Sequence, residues 1–554
     1  AQRCLYGVDK NRYAVQLARL SLWLVTMARN EPFSFVDHAL RHGDSLVGLD
    51  FDQIKAFHWE KKAQLETCQR ALTDALDEAI DLRKEILALA AEGTVESQRR
   101  KERLLFDAED ALDRVRLVGD LVIDTFFSQD NARDRDKKRD QRLQLVTRWL
   151  DGDDAVESEL REQQHQLRQT QVPFHWIAEF PEVFYLERPD PLDGDRISGA
   201  AFVDAFVGNP PFMGGSAVSS NFGDAYRDWL LSLHKGSHGN SDIAAHFFRR
   251  AGVLAGDHGT IGLVATNTIS QGDTRSTGLK QLSESGFSIY GATTNMSWPG
   301  EAAVTVSVMH LGVGTPTSAA RFLLDGKTCK AINTRLLPIP ERGDPKRLFS
   351  QKNLSFLGSK IYGQGFLLVP ETREALIKNN PRNAERIFPY LGGEEVNTSP
   401  TQSPHRYVIS FGQMELKEAE RWPELLAIVR EKVKPERDKN KREVRRKYWW
   451  RFGEVAPALY QAIAPLSRCL VTARVTKHLC FSFQPADRVF SEATNIFAVE
   501  KWSSFTVLQS RIHELWARLL SSSMKTDLRY AASDCFETFP FPKPDPRTVI
   551  PELE

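Results

Sequence analysis

VGNPPF, residues 207–212, closes the apolar run AAFVDAFVG (200–208), a Phe- and Val-containing stretch broken only by Asp204. The run reads as a buried strand. It cannot continue past Gly208. Two adjacent prolines remove two backbone donors and fix φ at both positions, and Asn209, preceding a proline, is biased toward extended backbone. Asn209-Pro210-Pro211-Phe212 is therefore a stiff loop at the carboxyl end of a strand, the edge at which open α/β sheets bind ligands.

Outward from this loop the chain keeps α/β grammar. A Gly/Ser-rich stretch (213–224) is followed by a helix from about Asp242 to Leu254, the turn AGDHG, and the strand TIGLVATN (260–267). GFSIYGATTN (286–295) and VTVSVMHLG (304–312) read as further strands, the second preceded by WPGEAA (298–303). Toward the amino terminus, CLYGV (4–8) reads as a short buried strand ending at Asp9. Asn11 is a suitable N-cap for a helix to about Ala28 with Leu17, Leu20, Leu24 and Met27 on one face. FSFVDHALRHGDSLVG (33–48) holds a short strand and a turn bearing Asp44, which completes a βαβ pattern.

From about 51 the composition changes. Leu65, Leu72, Leu76, Ala79, Leu82, Ile86 and Leu89 recur at helical spacing among dense charge, Gly93 breaks the pattern, and Leu105, Leu112, Val115 and Val122 resume it. Two amphipathic helices with a break suggest a helical hairpin that packs on itself or on a neighbour, read as a solvated structural insertion in preference to a catalytic element, and a third charged helical segment over 131–169 completes it. After about 335 the alternation fades. PHRYVISF, CLVTARV and NIFAVE look like strands of a separate mixed domain.

With 554 residues the chain holds two to four domains. Its 73 Lys/Arg balance 73 Asp/Glu, so any nucleic-acid surface must be local. The six cysteines lie far apart without a C-x-x-C pair, which argues against zinc or a disulfide framework and for a reducing, cytoplasmic setting with no metal site. No apolar run is long enough for a membrane span, and no signal peptide is evident. The chain opens without methionine and almost directly on an apolar strand, so a processed or truncated protein is expected.

A rigid Asn-Pro-Pro-aromatic loop suits one chemical problem. An exocyclic amine on an aromatic base is a poor nucleophile because its lone pair is delocalised. Two fixed acceptors, the Asn209 side-chain oxygen and the Pro210 carbonyl, can hold its two N–H groups and favour a tetrahedral nitrogen, and the prolines keep them aimed. Phe212 can stack on the base. Inside a duplex that base must first be flipped out. A second feature points the same way. Residues 430–451 carry eleven Lys/Arg against four Asp/Glu and run into Tyr448, Trp449 and Trp450. Local charge with aromatics suits a phosphate-tracking surface containing Arg445, Arg446 and Lys447; the alternative is a solvated helix whose aromatics pack on the core.

Taken together, the sequence resembles the gamma-class N6-adenine DNA methyltransferases, above all the large Eco57I-like (type IIG and IIL) restriction-modification methylases and their relatives in BREX and DISARM phage defence. YGVDKNRYAVQLARLSLWL resembles the second motif, which implies that Asp9 binds the ribose hydroxyls of S-adenosylmethionine (SAM). HGDSLVG resembles the third, with Asp44 accepting from the cofactor's adenine amine and Leu46 nearby; alone, Asp44 reads as a turn residue. VGNPPF is the fourth motif, so Asn209, Pro210, Pro211 and Phe212 are the catalytic candidates, with Asn209 also near the cofactor. SDIAAHFFRRAGVL and GTIGLVATNTI resemble the fifth and sixth, placing Asp242 near the cofactor and Phe247 near the target base, although Asp242 is equally suited to a helix N-terminus and Phe247 to a core. SWPGEAAVTVSVMHL resembles the eighth, with Trp298 and Pro299 bordering the flipped base; Trp298 is equally suited to plain core. PYLGGEEVN (389–397) and SSSMKTDLRYAASDCFETFPFP (521–542) are similar to segments framing the family's target-recognition domain, where Arg474, Lys477 and His478 can reach DNA.

The resemblance implies a class I SAM-dependent methyltransferase of α/β class, with a Rossmann-like, mixed seven-stranded sheet in the order 3-2-1-4-5-7-6. The cofactor-binding glycine loop and the central strand would precede residue 1, in this polypeptide or supplied separately. The expected domains are a first methyltransferase part (1–50), a helical insertion (51–170), a second methyltransferase part (171–335) and a C-terminal α+β target-recognition domain (336–554). Duplex DNA is the implied partner, with nuclease or helicase subunits of a defence system as further ones. The competing readings are a methylase-like DNA-recognition subunit without turnover of its own, and a methyltransferase for RNA or protein glutamine.

Overall fold

In the computed structural model, residues 4–26, 36–60, 66–89, 94–184, 188–190, 196–198, 203–299, 304–314, 321–440, 442–524 and 527–554 are described. They divide into two units, Ala1–Glu341 and Arg342–Glu554. Met27, Leu65 and Gly93, and the start of the run before Val203, lie outside the described residues.

In the first unit, β1 (Gly7–Asp9) pairs in parallel with β2 (Leu40–His42). The run before the NPPF loop forms β3 (Val203–Gly208), parallel to β4 (Ala255–Thr266) with Gly208 opposite Leu263. β5 (Phe287–Ser297) and β6 (Thr305–Val313) follow, β6 lying antiparallel between β4 and β5, and the short β7 (Phe322–Leu324) and β8 (Lys327–Cys329) extend the edge. The order is β8-β7-β5-β6-β4-β3. Among the described residues β1 and β3 do not pair with each other. Yet Tyr6 and Val8 on one side and Val203 and Phe206 on the other pack against the same cluster of Phe174, Phe180, Val183, Phe184 and Leu254. The two blocks are separate sheets that pack on one shared cluster, and the strand order within each agrees with the corresponding part of the expected order.

Three expectations change here. CLYGV is not a buried strand: the strand is Gly7–Asp9, and Cys4 and Leu5 before it are exposed. β3 is not buried: Asp204, Ala205 and Val207 are exposed, Val207 to 90%, because no described strand lies on that side. Asn11 does cap α1 (Arg12–Thr26), accepting from Tyr13 N at 2.9 Å. The expected inward face of Leu17, Leu20 and Leu24 is exposed, however, and the helix packs through Val15 and Leu22 on Val36 and Leu40. An all-round apolar helix leaves the choice of face to its neighbours.

The insertion comprises α2 (Glu66–Ala88), α3 (Val95–Phe127), α4 (Ala132–Leu150) and α5 (Glu157–Thr170). The single helix expected over 131–169 is split at Asp151-Gly152, where Gly152 has φ +99°. Nor is the insertion a solvated appendage. The second half of α3 is buried on every side, from Val115 through Phe126, in one cluster with Leu46, Val47 and Leu49 of the Asp44 turn and with Tyr226, Trp229 and Ile243. A buried charge network joins it to the sheet: Glu179 meets Arg116 at 2.7 Å and Arg41 at 2.7 Å, and Glu109 meets the same two arginines at 2.8 and 2.7 Å. Burial pushes the Glu179 carboxyl up, but the two guanidinium groups outweigh it and hold it well below the usual carboxylate range.

In the second unit, the main sheets are β9 (Ser355–Leu357), β17 (Thr494–Phe497), β13 (Arg468–Ala473) and β15 (Ser482–Pro485) in that order, and β10 (Leu367–Leu368), β12 (Arg406–Ile409), β11 (Ile387–Leu391) and β16 (Val489–Phe490). A small third sheet holds β14 (Val475–Thr476), β19 (Asp527–Arg529) and β18 (Ser522–Met524). Among the described residues no helix is long and apolar enough to cross a membrane.

Removing the Glu179 charge leaves two buried arginines short of a counter-ion. Glu179→Gln is therefore expected to destabilise the first unit by about 3–5 kcal/mol, measured by urea melts at neutral pH. Because the folded carboxyl titrates below its unfolded value of about 4.3, its contribution is complete above that pH and is lost as pH falls below it. The wild-type and variant curves should therefore converge toward acid pH.

Candidate active site at the strand ends

The loop after β3 is held from both sides. Pro210 is buried while Asn209 and Pro211 are exposed. The Phe212 ring meets Trp298, just beyond β5, edge to face at 5.7 Å and 89°. An aromatic corner with a solvent-facing amide therefore stands at the carboxyl end of the strand. Pro299, beside Trp298, is exposed.

Asp242 sets the far end of the loop. It is the N-cap of α7 (Ile243–Leu254; α6 is Asp224–Leu233) and accepts from Ala244 N at 3.0 Å and from Met213 N at 3.4 Å. Ile243 N returns a hydrogen bond to Met213 O at 2.9 Å, and Thr274 Oγ1 accepts from Asp242 N at 3.1 Å. Burial raises the Asp242 carboxyl above its ordinary value. This carboxylate thus serves the helix terminus and the backbone that follows the NPPF loop. Phe247 packs on the large cluster beside Met213; no ring contact joins it to the Phe212–Trp298 pair among the described residues. Behind it, buried His234 and His246 share one hydrogen bond, Nδ1 to Nδ1 at 2.9 Å, so one imidazole donates and the other accepts. Burial lowers the His246 pKa to about 4.

The two acidic candidates come together. Gly43 N donates to Asp9 O at 3.0 Å, which sets the Asp44 turn against the end of β1. Asp9 is exposed; its Oδ1 accepts from Asn11 N at 2.6 Å and its Oδ2 has no partner among the described residues. Asp44 is 3% exposed and accepts from Leu46 N at 3.0 Å, from Tyr226 Oη at 3.1 Å and from Lys10 Nζ at 2.8 Å. Leu46 is fully buried, and its carbonyl accepts from Trp229 Nε1 at 2.8 Å. Lys10, Phe222, Tyr226 and Trp229 were not anticipated. The only signal was position: Lys10 adjoins Asp9, Phe222 lies near the end of the Gly/Ser-rich stretch, and Tyr226 and Trp229 follow it three residues apart on α6.

In the second unit, Trp449 and Trp450 are buried core residues, with Trp450 Nε1 donating to Met414 O at 2.9 Å. They are not a phosphate-tracking surface, since indole rings beside apolar neighbours gain more from burial. Several of the nearby cations are also used internally. Arg437 is buried and donates to Ile361 O at 2.9 Å, Lys434 pairs with Asp438, and Arg445 lies over Tyr362 at 4.0 Å. Arg446 and Lys447 are exposed, although Arg446 also donates to Asn440 O and the Lys447 ammonium lies 5.4 Å from the Tyr448 ring centroid. Lys477 and His478 are exposed beyond β14. Arg474 lines a cavity of about 380 Å³ with Arg529, Glu394, Glu492 and Asn397. This cavity brings together the two segments singled out as framing a recognition domain and Arg474.

Comparisons with known proteins follow the same division. The family described as Eco57I restriction-modification methylase matches residues 3–286, just over half the chain, and the MmeI target recognition domain matches residues 343–543. DNA methyltransferase A of Bacillus subtilis (strain 168) is 22% identical over 354 residues, covering 61% of this chain and 39% of that protein. The structure of the type IIL restriction-modification enzyme MmeI in complex with DNA superposes with a TM-score of 0.53 at 20% identity, covering 71% of this chain and 53% of that one. The chain thus spans about half the length, or less, of these relatives.

Asp242→Ala removes the helix cap and the loop anchor together. A loss of about 1–2 kcal/mol is expected in thermal or urea melts, with faster proteolysis near Met213; Asp242→Asn should restore most of both.

Proposed function

Because this chain belongs to the Eco57I restriction-modification methylase family, we propose that the protein is a SAM-dependent DNA methyltransferase acting on the N6 amine of an adenine flipped out of a specific duplex sequence. The observation that carries this reading is the loop at the end of β3: an exposed Asn209 on a proline-stiffened backbone, three residues before a Phe212 ring that meets Trp298 edge to face.

The residues suit the cofactor. Asp9 presents an unpartnered carboxylate oxygen at a strand end, as vicinal hydroxyls require, and Asp44 on the adjoining turn offers a buried acceptor for a base amine. When bound, SAM supplies an electrophilic methyl group. The chain's part is positioning and electrostatics. The Asn209 side-chain oxygen and the Pro210 carbonyl accept the two N–H bonds of the target amine, which favours a tetrahedral nitrogen and stabilises the positive charge that develops there. Phe212 provides a stacking face, worth about 1–3 kcal/mol, toward the cost of extracting the base. No strong base is needed, because the amine proton becomes acidic on methylation. The match over 343–543 supports a DNA-reading role for the second unit.

Labelled SAM and duplex DNA, tested with the full-length protein, should show methyl transfer falling about 10²–10³-fold in Asn209→Ala with DNA binding retained; normal turnover would refute the mechanism. Digestion of the product to nucleosides identifies the methylated base. Neutralising the exposed pair Arg446 and Lys447 should weaken DNA binding and lower the magnitude of the salt slope by about 2. An unchanged slope would place the phosphate contacts elsewhere.

A further inference from the structure

The Asp44 carboxylate is fully engaged in this structure, although it is the group expected to receive a ligand. Its donors differ in kind. Leu46 N belongs to the turn itself, and Tyr226 is buried on α6, whose Trp229 is bonded to the same turn. Lys10 is different. It lies between β1 and α1, its side chain is 43% exposed, and its ammonium reaches inward to Asp44 Oδ2. There it also lies over two rings, 4.4 Å from the Phe222 centroid and 5.2 Å from that of Tyr226. The rings themselves stand 4.9 Å apart. One carboxylate and two π faces make a small cage for an N–H donor. An ammonium satisfies it through charge and cation–π attraction, and the amine edge of a purine satisfies it through the same carboxylate and stacking.

We propose that Lys10 is a built-in competitor: its ammonium occupies the cage that the purine base of the cofactor must enter, and it swings into solvent when the base binds. This rests on the cofactor reading above. Displacement breaks one partly exposed ion pair and two cation–π contacts, both of modest strength. Lys10 therefore tunes affinity without blocking the site, so that cofactor is held less tightly than Asp9 and Asp44 alone would hold it. Screening by salt weakens the Lys10–Asp44 pair, and wild-type affinity should rise with ionic strength.

Calorimetry on the full-length protein tests this with two probes, S-adenosylhomocysteine and adenosine. Lys10→Met and Lys10→Ala should each bind both probes roughly three- to tenfold more tightly than wild type, and the rise of affinity with salt should vanish. Thermal melts confirm that both variants are folded. Adenosine isolates the base end. If Lys10 instead held the cofactor's amino-acid carboxylate, the variants would lose affinity for S-adenosylhomocysteine and keep it for adenosine, which overturns the proposal. Unchanged affinities for both probes overturn it as well. Failure of both probes to bind wild type and variants alike overturns the cofactor reading itself, and the proposal with it.

Discussion

Everything in the first unit depends on the lock between the Asp44 turn and the segment that returns from the helical insertion. Asp44 N donates to Val172 O at 2.7 Å, Phe174 N to Val47 O at 2.7 Å, Leu49 N to His175 Nδ1 at 3.1 Å and Trp176 Nε1 to Ser45 O at 3.0 Å. The approach is so close that a Cβ at Gly48 would fall 1.9 Å from Phe174 O. His175 in turn bonds Asp120 of α3 through its other nitrogen at 3.3 Å, and a Cβ at Gly119 would meet the same ring at 2.7 Å. The chain leaves the sheet at Asp50 and comes back at Val172 with both ends fastened to each other. Closing so long an excursion adds little entropy cost per added residue, and the sheet is insulated from the length of the helices.

The same lock links the insertion to the chemistry. Phe126, near the end of α3, meets the Trp229 ring edge to face at 5.1 Å. Trp229 and Tyr226 hold the Asp44 turn from α6. Asp242, at the start of α7, holds the backbone that leaves Phe212. Two carboxylates, one buried at a turn and one at a helix terminus, thus share a scaffold of buried aromatics. The candidate cofactor residues and the candidate catalytic loop are positioned by one core, not by separate ones.

Much of this was legible in the sequence. The NPPF loop, the N-cap roles of Asn11 and Asp242, and the strands β3, β4, β5 and β6 follow from proline chemistry, capping residues and apolar runs, all of which are local; the short edge strands β7 and β8 carry no such signal. What escaped is long-range. That α3 is a core helix depends on Glu179 and Asp120, charges that a periodicity argument assigns to solvent and that are in fact satisfied by Arg116, Arg41 and His175. The burial of Trp449 and Trp450 was one of two open readings, because the lysines and arginines before them suit a phosphate surface as well as a solvated helix over a core. Which face of α1 packs was undetermined because leucines occur all round it. Lys10 was invisible because its significance lies in Phe222 and Tyr226, more than two hundred residues away.

The cavity of the second unit has a property of its own. Its two guanidinium groups, Arg474 and Arg529, stand against two carboxylates, Glu394 and Glu492, with the Asn397 amide among them. The walls are electrically balanced and offer donors and acceptors in comparable number. A polar group that enters such a cleft meets little net charge, so what it gains there is set by hydrogen-bond geometry and only weakly by the ionic medium.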